Sequence, residues 1–257
     1  MLRPRIIPCL LVHNKGLIKS VKFKNYKYVG DPINAVKIFN EKVADELMLI
    51  DIDATSNNTE PDYKMIEKIA SECRMPLCYG GGIKNENQVK KIFSLGVEKI
   101  AISSIAIKNP QIISEFSSMV GSQSVVVILD IKKNTFGKYQ IYINNGNKLI
   151  NINLEEFISN LEYLGAGEIV LNSIDNDGTM NGYDYNLVTQ IRKITTLPIT
   201  ILGGAGSIED IGALIKKFGI IGAAAGSLFV FKGIYKAVLI NYPTIIERDE
   251  LILKNYI

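Results

Sequence analysis

One aspartate stands at the end of an otherwise apolar stretch of the chain. In "VVVILDI", residues 125–131, Asp130 follows five consecutive aliphatic residues. A carboxylate at such a position is either paired or functional, because an unpaired charge is costly to bury. It could act as a general acid or base. In the similar stretch "IIPCLLV", residues 6–12, the corresponding position holds Leu11, so a reaction that needs two carboxylates would lack one.

Two glycine-rich segments predict binding sites for phosphate groups. "GGG" at 80–82 and "GGAG" at 203–206 each follow an apolar stretch, and small residues complete each one downstream, "SS" at 103–104 and "GS" at 226–227. Glycine lets backbone N–H groups approach an anion closely, and a helix that begins there offers unpaired donors. One such segment would equally suit a tight turn, but two related ones favour a ligand with a phosphate at each end. The residues expected to bind phosphate are Gly81, Gly82, Ser103, Ser104, Gly203, Gly204, Gly226 and Ser227.

Further carboxylates follow the second and the sixth apolar stretches. Asp51 and Asp53 come after the second, and Asp175 and Asp177 come after the sixth. Asx turns account for Asp53 and Asp175, whereas Asp51 and Asp177 are candidates for the pocket. The segment "DNDGT" at 175–179 is faintly similar to a calcium loop, but the flanking helix and the later ligands do not fit.

Eight apolar, β-branched segments alternate with amphipathic helical patterns such as "DPINAVKIFNEKV" and "NENQVKKIFSLG". Eight strand–helix units with parallel strands and right-handed crossovers predict an α/β fold, a single (β/α)₈ TIM barrel. An open, doubly wound sheet is the alternative, but no glycine-rich dinucleotide motif follows the first strand. The predicted strands span residues 5–12, 46–53, 76–80, 98–103, 124–131, 168–173, 198–203 and 220–226.

The chain also repeats itself, with offsets of 119 to 123 residues between matching segments. "ADELMLIDID" matches "AGEIVLNSID", and "GGGIKNENQVKKIFSLG" matches "GGAGSIEDIGALIKKFG". We therefore predict one domain, 1–257, made of two half-barrels of about 1–120 and 121–257, in which Leu11 corresponds to Asp130. After the fifth strand, "FGKYQIYINNGNKLINI" alternates in polarity around a turn motif, which predicts an inserted β-hairpin.

Charged residues begin four of the predicted strands. In barrels of this kind the carboxyl ends of the strands carry the active site, so these four residues lie at the opposite end, the base. Two are positive and two are negative: Arg5, Glu46, Lys99 and Glu168. A ring of salt bridges that plugs the base would explain them. A gate between the barrel interior and a partner bound underneath would explain them equally well, and both interpretations stay open at the level of sequence.

Composition and charge exclude several classes of function. The 257 residues are 47% hydrophobic, enough for a sizeable core, and a net charge of +3 is too small to predict binding to nucleic acid or membrane. Three cysteines without the spacing of a metal motif predict a reducing compartment. Because His13 is the only histidine, we expect neither a catalytic triad nor a multi-histidine metal site. We expect no metal and no cofactor. Without an evident leader or membrane-spanning run, a cytoplasmic location is expected.

Several motifs together give the chain a specific resemblance. From "RIIPCL" to "AAGSLFVF" it resembles the cyclase subunit of imidazole glycerol phosphate synthase, through "YVGDP", "YGGGI", "GSQSVVV", "GAGEI", "SIDNDGT" and "GGAGS" in order. In that family a glutaminase binds at the base of the barrel and releases ammonia. The ammonia passes through the barrel to the carboxyl face, where a ribulosyl bis-phosphate nucleotide is cleaved and cyclised.

The resemblance implies a role for each matching residue. Asp130 matches one of two catalytic aspartates, and the other falls on Leu11. Lys19, in the loop after the first strand, would close over the substrate, and the glycines and serines named above would bind its phosphates. The four charged residues at the base match the family's ammonia gate, which implies a heterodimer with a glutaminase subunit.

Several positions depart from the family pattern. Leucine cannot move a proton, and loss of a general acid or base typically lowers the rate about 10²–10⁴-fold. Cys78, Ser103, Asn172 and Leu202 stand where the family usually has Thr, Asn, Thr and Ser. The chain thus departs from the family at pocket positions but keeps the four charged residues at the base. In this it resembles a divergent branch linked to acetamidino modification of surface sugars. The segments "PCLL" and "ASECRMPLCYGGGI" are also similar to that branch. In that branch the barrel and its glutaminase supply ammonia to a separate sugar amidotransferase.

Three functions are therefore compared. The first is an ammonia-conducting subunit that serves the amidination of a nucleotide-linked sugar, and Leu11 favours it. The second is a true cyclase in histidine biosynthesis, with another group in place of the lost aspartate. The third is a non-catalytic barrel that binds a bis-phosphate metabolite, which leaves the charges at the base unexplained. A co-purifying glutaminase would separate the first two from the third.

Overall fold

Strands and helices alternate along the computed structural model, which describes residues 3–256. The strands are β1 (Arg5–His13), β2 (Gly16–Val21), β3 (Lys24–Gly30), β4 (Leu47–Asp51), β5 (Leu77–Gly80), β6 (Lys99–Ile102), β7 (Val125–Lys133), β8 (Tyr139–Ile143), β9 (Lys148–Ile150), β10 (Glu168–Ser173), β11 (Ile199–Leu202), β12 (Gly222–Ala225), β13 (Phe231–Lys232) and β14 (Ala237–Val238). The helices are α1 (Pro32–Glu41), α2 (Ile52–Ser56), α3 (Tyr63–Glu72), α4 (Glu86–Ser94), α5 (Ser104–Lys108), α6 (Gln111–Val120), α7 (Leu154–Tyr163), α8 (Tyr185–Arg192), α9 (Ile208–Phe218), α10 (Ser227–Val230) and α11 (Ile245–Tyr256).

Eight parallel strands close into a barrel, as predicted. They follow the order β1, β4, β5, β6, β7, β10, β11, β12, and β12 pairs with β1 to complete the circle. The predicted strand bounds agree with these strands to within about two residues. At the end of the second predicted strand, 46–53, the last two residues instead begin α2, because the Asp51 side chain accepts hydrogen bonds from the backbone N–H groups of Asp53 and Ala54.

Local signals in the sequence fix where the outer helices begin. Asp31 caps α1 and is followed by Pro32, Asn85 caps α4, and Ser207 forms a capping box with Asp210 at the start of α9. One apolar stripe on each helix packs against the outside of the barrel, and these contacts make up the larger part of the core.

A second, smaller apolar cluster fills the inside of the barrel. Its members are the inward-facing residues of the eight strands, and nearly all of them are aliphatic or cysteine, in agreement with a packed lumen rather than an open pore. The cluster consists of Ile7, Cys9, Met48, Cys78, Ala101, Val126, Ile128, Val170, Leu202 and Ala224, with Leu11 and Ile50 packed against its upper end.

Three antiparallel hairpins extend the fold beyond the barrel. Hairpin 1 (residues 14–30) contains β2 and β3 and continues from β1; hairpin 2 (131–153) contains β8 and β9 and continues from β7; hairpin 3 (231–243) contains β13 and β14. Hairpin 2 confirms the predicted insert, and its turn uses left-handed backbone at Asn144 and Asn145.

Hairpin 1 was not predicted. The segment after β1 was expected to be a loop, but it forms two strands. Its first strand, "GLIKSV", is buried at four consecutive positions, so it lacks the alternation that marks a strand with one exposed face.

Candidate functional site

Two cavities meet at the carboxyl ends of the barrel strands. One, of about 320 Å³, lies over β5 and β6, and the other, of about 80 Å³, lies over β11 and β12, where hairpin 1 covers it. Leu11 and Asp130 line both cavities and mark the place where they join. Each predicted phosphate site falls in one of the two.

Asp130 is partly buried near the end of β7 and lines both cavities. Asn172, on the neighbouring strand β10, donates a hydrogen bond of 2.8 Å from Nδ2 to Asp130 Oδ1. Burial raises the pKa of Asp130 to about 7; the bond from Asn172 opposes this shift, and the charge of Asp177 adds to it. The carboxyl can therefore both give and take a proton near neutral pH.

Leu11 occupies the matching place on β1, with a different neighbour. It pairs in register with Ile50 on β4, just as Asp130 pairs with Asn172 on β10. The sequence repeat relates Ile50 to Asn172 as it relates Leu11 to Asp130. A polar pair on one side of the mouth thus corresponds to an apolar pair on the other.

The first predicted phosphate site lies in the larger cavity. Gly81, Gly82, Ser103 and Ser104 all line it. Helix α5 begins at Ser104 without a side-chain cap, so its first N–H groups are free to bind an anion. Gly81 has a φ of +128° and its α-carbon approaches the carbonyl of Asp51 so closely that a side chain would collide with it. The Ser103 hydroxyl is buried and has no hydrogen-bond partner among residues 3–256.

The second predicted phosphate site lies in the smaller cavity. Gly203, Gly204, Gly226 and Ser227 line it. Here α10 begins at Ser227, again without a side-chain cap. The two sites share a strand end, a glycine turn and a short uncapped helix, which is the arrangement predicted from the sequence.

Lys19 reaches into this second site from hairpin 1. It lies on β2 and is buried, so its predicted position in a loop is wrong; its role in closing over a substrate stays a prediction. Its Nζ donates to the carbonyl of Cys9 at 2.5 Å and lies so close to Gly226 that a side chain there would collide with it. Burial lowers the pKa of the Lys19 ammonium.

The two candidate pocket carboxylates, Asp51 and Asp177, both hold backbone in place. Asp51 caps α2, as described above. Asp177 accepts a hydrogen bond from the Ser20 hydroxyl at 2.7 Å and one from the Phe23 N–H at 3.2 Å, which ties hairpin 1 to the barrel. Burial raises the pKa of both carboxyls, and these hydrogen bonds lower it again in part.

The other two aspartates have partners that the sequence did not indicate. Asp53 contacts His13 Nδ1 at 2.7 Å and accepts a bond from the Asn14 N–H, so it is more than a turn former. Asp175 accepts a bond of 2.8 Å from the N–H of Lys133 and thereby anchors hairpin 2.

At the base, the four predicted gate residues form a closed ring of ion pairs. Arg5 contacts Glu46 and, at 2.7 Å, Glu168; Lys99 contacts Glu46 at 2.9 Å and Glu168 at 3.1 Å. Thr200, which the sequence analysis did not single out, also donates to Glu168 at 2.5 Å. Burial raises the pKa of Glu46, and the charge of Glu168 adds to this. For Glu168 burial acts in the same direction, but Arg5 and Lys99 outweigh it and the pKa is lowered.

A large cavity of about 1190 Å³ lies beneath this ring, and Arg5, Lys99 and Glu168 face it. All five arginines of the chain line it: Arg3, Arg5, Arg74, Arg192 and Arg248. The base is therefore a broad concave surface, rich in guanidinium groups, with the ring of ion pairs at its centre.

Comparison with known proteins agrees with this architecture. The sequence matches the family described as "Histidine biosynthesis protein" over residues 5–236. The chain belongs to this family. Within it, the chain is 57% identical to the "Putative imidazole glycerol phosphate synthase subunit hisF3" of Vibrio vulnificus (strain YJ016), over 97% of this chain and 96% of the relative.

Two further members of the family extend the comparison. The "Putative imidazole glycerol phosphate synthase subunit HisF" of Leptospira interrogans is 54% identical, over 98% of this chain and 99% of the relative. The "Imidazole glycerol phosphate synthase subunit HisF" of Natranaerobius thermophilus is 40% identical, over 94% of this chain and 96% of the relative. The chain is thus a HisF-type member of the family. Across residues 3–256, no helix is long and apolar enough to cross a membrane.

Proposed function

We propose that the chain is the ammonia-accepting barrel subunit of a glutamine amidotransferase complex. It conducts ammonia to its carboxyl face for a separate enzyme, which amidinates a nucleotide-linked surface sugar. Leu11 carries this proposal. Leu11 lines the mouth of the barrel opposite Asp130, and its side chain cannot exchange a proton. A reaction that needs a general acid or base on both sides of the substrate therefore lacks one of the two groups.

The nearby carboxylates are poor replacements for the missing one. Asp51 is engaged by two N–H groups at the start of α2, and Asp177 by Ser20 and Phe23. A proton transfer by either would break bonds that hold α2 or hairpin 1 in place. We therefore favour the view that the second acid–base group has been lost rather than replaced by another residue.

The apolar lining of the barrel interior favours neutral ammonia over the ammonium ion. Between the ring at the base and the two cavities at the mouth, the lumen is lined by aliphatic residues and cysteine. Transfer of neutral ammonia from water into such a space costs little free energy, whereas a charged ammonium ion would lose its hydration without compensation. A glutaminase bound over the base cavity would release ammonia directly beneath Arg5, Lys99 and Glu168.

A second candidate is the cyclase reaction of histidine biosynthesis. It is favoured by the carboxyl of Asp130, whose pKa of about 7 suits a general acid or base, and by the two phosphate sites at the ends of the combined cavity. This function requires another group to take the place of the lost aspartate.

A cyclase assay separates the two candidates. The purified chain would be given the ribulosyl bis-phosphate substrate with excess ammonium at alkaline pH, which bypasses the glutaminase. We expect no cyclisation above background by the natural sequence, and a gain of about 10²-fold or more in the Leu11→Asp variant, since a general acid or base is worth about 10²–10⁴-fold. Cyclisation by the natural sequence well above background would overturn the proposal.

Ile50→Asp is the matched control. It adds the same carboxylate to the half-buried neighbour of Leu11 on β4, away from the position that mirrors Asp130. We expect no gain from it. The positive test is transfer of isotopically labelled amide nitrogen from glutamine to the sugar, in a mixture of the chain, its glutaminase and a sugar amidotransferase. Transfer that proceeds equally well without the chain would also contradict the proposal.

A further inference from the structure

The three hairpins differ in charge from the rest of the chain. Residues 14–30, 131–153 and 231–243 contain eleven lysines and no aspartate or glutamate, although the whole chain has nearly balanced charges, with 29 Lys and Arg against 26 Asp and Glu. Ten of the eleven lysines are exposed, and Lys19 alone is buried. The three hairpins are therefore strongly positive, while the remainder of the chain is net negative.

The same hairpins carry most of the exposed apolar side chains. Of the seventeen large hydrophobic residues that are exposed within residues 3–256, ten lie on them. Phe136, Ile234 and Tyr235 are 87–94% exposed, and Tyr28 is 65% exposed. Exposed apolar patches with a polar rim mark interaction sites, and aromatic residues are enriched at protein interfaces.

Contacts between the hairpins make them one surface around the cavities. Phe23 of hairpin 1 lies against Gly146 of hairpin 2, and Lys27 of hairpin 1 donates a hydrogen bond of 2.9 Å to the carbonyl of Lys236 in hairpin 3. Hairpin 1 also lines the smaller cavity through Lys19, Ser20, Phe23 and Tyr26. A protein that covered this surface would enclose the place where the lumen opens.

We propose that the three hairpins form the docking surface for the enzyme that consumes the ammonia, and that this enzyme meets them with an acidic face containing apolar pockets. The inference rests on the proposed function, because only a conduit needs a second protein at the carboxyl face. Docking there would pass ammonia from the lumen to the second enzyme without release into solvent.

Charge complementarity identifies the chemistry of this partner. Ten exposed lysines would attract an acidic face from a distance and reject a basic one, and such attraction weakens as salt screens it. Attraction of a small phosphorylated substrate would explain lysines at the cavity rim. It would not explain Ile234 and Tyr235, which line neither cavity and are almost fully exposed.

Two equally exposed tyrosines allow a direct test. Tyr235 is 89% exposed on hairpin 3, and Tyr163 is 91% exposed at the end of α7, outside the hairpins. Each is replaced in turn by a photo-crosslinking benzoylphenylalanine, in the complex of the full chain with its glutaminase. After illumination with the purified sugar amidotransferase, we expect a covalent adduct from position 235 and none from position 163. No adduct from 235, or equal adducts from both, would overturn the docking surface.

Charge reversal provides a second, independent measurement. Lys24→Glu with Lys232→Glu changes two exposed lysines of the hairpins, and Lys64→Glu with Lys68→Glu makes the same change in net charge on α3. We expect the hairpin variant to bind the amidotransferase at least about tenfold more weakly at low salt, and the α3 variant to bind like the natural chain. Equal affinities for the two variants would contradict the inference.

Failure of the docking surface can be told from failure of the proposed function. Labelled nitrogen that reaches the sugar without an adduct at position 235 would reject the surface and keep the function. An adduct at 235 and weaker binding by the hairpin variant, without nitrogen transfer, would keep the surface and reject the function.

Discussion

At the scale of single residues, two neighbouring strands at the barrel mouth, β1 and β4, both differ from their counterparts in the other half of the barrel, β7 and β10. Asp130 has Asn172 as its partner, whereas Leu11 has Ile50. A carboxylate introduced at position 11 would therefore lack the amide that bonds Asp130. Without such a bond, burial alone sets its pKa, which we expect to lie above the ordinary value for aspartate.

The raised pKa of Asp130 predicts a pH-dependent stability. An unfolded aspartate titrates near pH 3.9, and the folded carboxyl titrates at about 7, so the native state binds the extra proton between these values. Stability is highest below the lower value and falls as pH rises through this window. We expect Asp130→Asn to match the natural chain at pH 4 and to exceed it by a few kcal/mol at pH 8, at about 1.4 kcal/mol per pKa unit.

Denaturant unfolding at a series of pH values measures this difference. Asp62→Asn serves as a control. Asp62 caps α3 from a partly exposed position, and asparagine caps a helix about as well as aspartate, so we expect little change in stability at any of these pH values. A constant difference between Asp130→Asn and the natural chain from pH 4 to pH 8 would show that Asp130 titrates as it does in the unfolded chain.

Which site residues the sequence revealed depends on how unusual each one is in its own strand. Asp130 interrupts an apolar run, so it was found. Ser20 and Thr200 were not, because a hydroxyl is ordinary in a strand and their partners, Asp177 and Glu168, lie 157 and 32 residues away. Those pairs meet only when the strands assemble into the sheet.

At the scale of elements, the barrel strands were predictable because each is buried on both sides and forms a continuous apolar run. Hairpin 2 was predictable from its turn and its alternation. Hairpin 1 was not, since β2 is buried along most of its length and β3, "KNYKYVG", is exposed along most of its length. Neither strand shows a period of two, and both depend on contacts with the barrel.

The anchoring of hairpin 1 predicts a local change in dynamics. Asp177→Ala removes the bonds to Ser20 and Phe23, each worth roughly 1 kcal/mol. We expect amide hydrogen exchange to become roughly tenfold faster across residues 16–30, with little change in the barrel strands. Exchange measured by mass spectrometry would show this directly.

Asp175→Ala is the matched comparison for this experiment. It removes the acceptor for Lys133 in hairpin 2, two residues away from Asp177 in the chain. We expect amide hydrogen exchange to become faster in residues 131–153 and to stay unchanged in hairpin 1. If both variants loosened both hairpins equally, the two anchors would not be independent.

At the scale of the whole molecule, the ion-pair ring joins opposite sides of the barrel. Glu168 is shared by Arg5, Lys99 and Thr200 and is almost completely buried. Glu168→Gln would leave the two cations with one carboxylate, and we expect it to lower the free energy of unfolding by about 3 kcal/mol. Thermal and denaturant unfolding would measure the loss.

An exposed ion pair provides the comparison. Glu86 and Lys90 are paired on α4 at 3.7 Å with both side chains more than half exposed, so Glu86→Gln should change stability by less than about 0.5 kcal/mol. Similar losses for Glu86→Gln and Glu168→Gln would mean that the ring at the base is no stronger than a surface pair.

The overall fold was predictable because the pattern of an apolar strand followed by an amphipathic helix is repeated eight times along the chain. An error in one of these units does not change the predicted fold. The roles of the two ends of the barrel were harder to predict from the sequence. The ring required four residues from distant positions to meet, and the lysine-rich surface required three hairpins to lie side by side, one of which had been expected to be a loop.

The placement of all five arginines around the base cavity has a practical consequence for chemical labelling. A dicarbonyl reagent that is selective for guanidinium groups would modify the chain only at this end, and chiefly at the exposed Arg3 and Arg74. An amine-reactive reagent would modify the hairpins and the outer helices. A dye or tether can therefore be confined to the base of the barrel without any engineered cysteine.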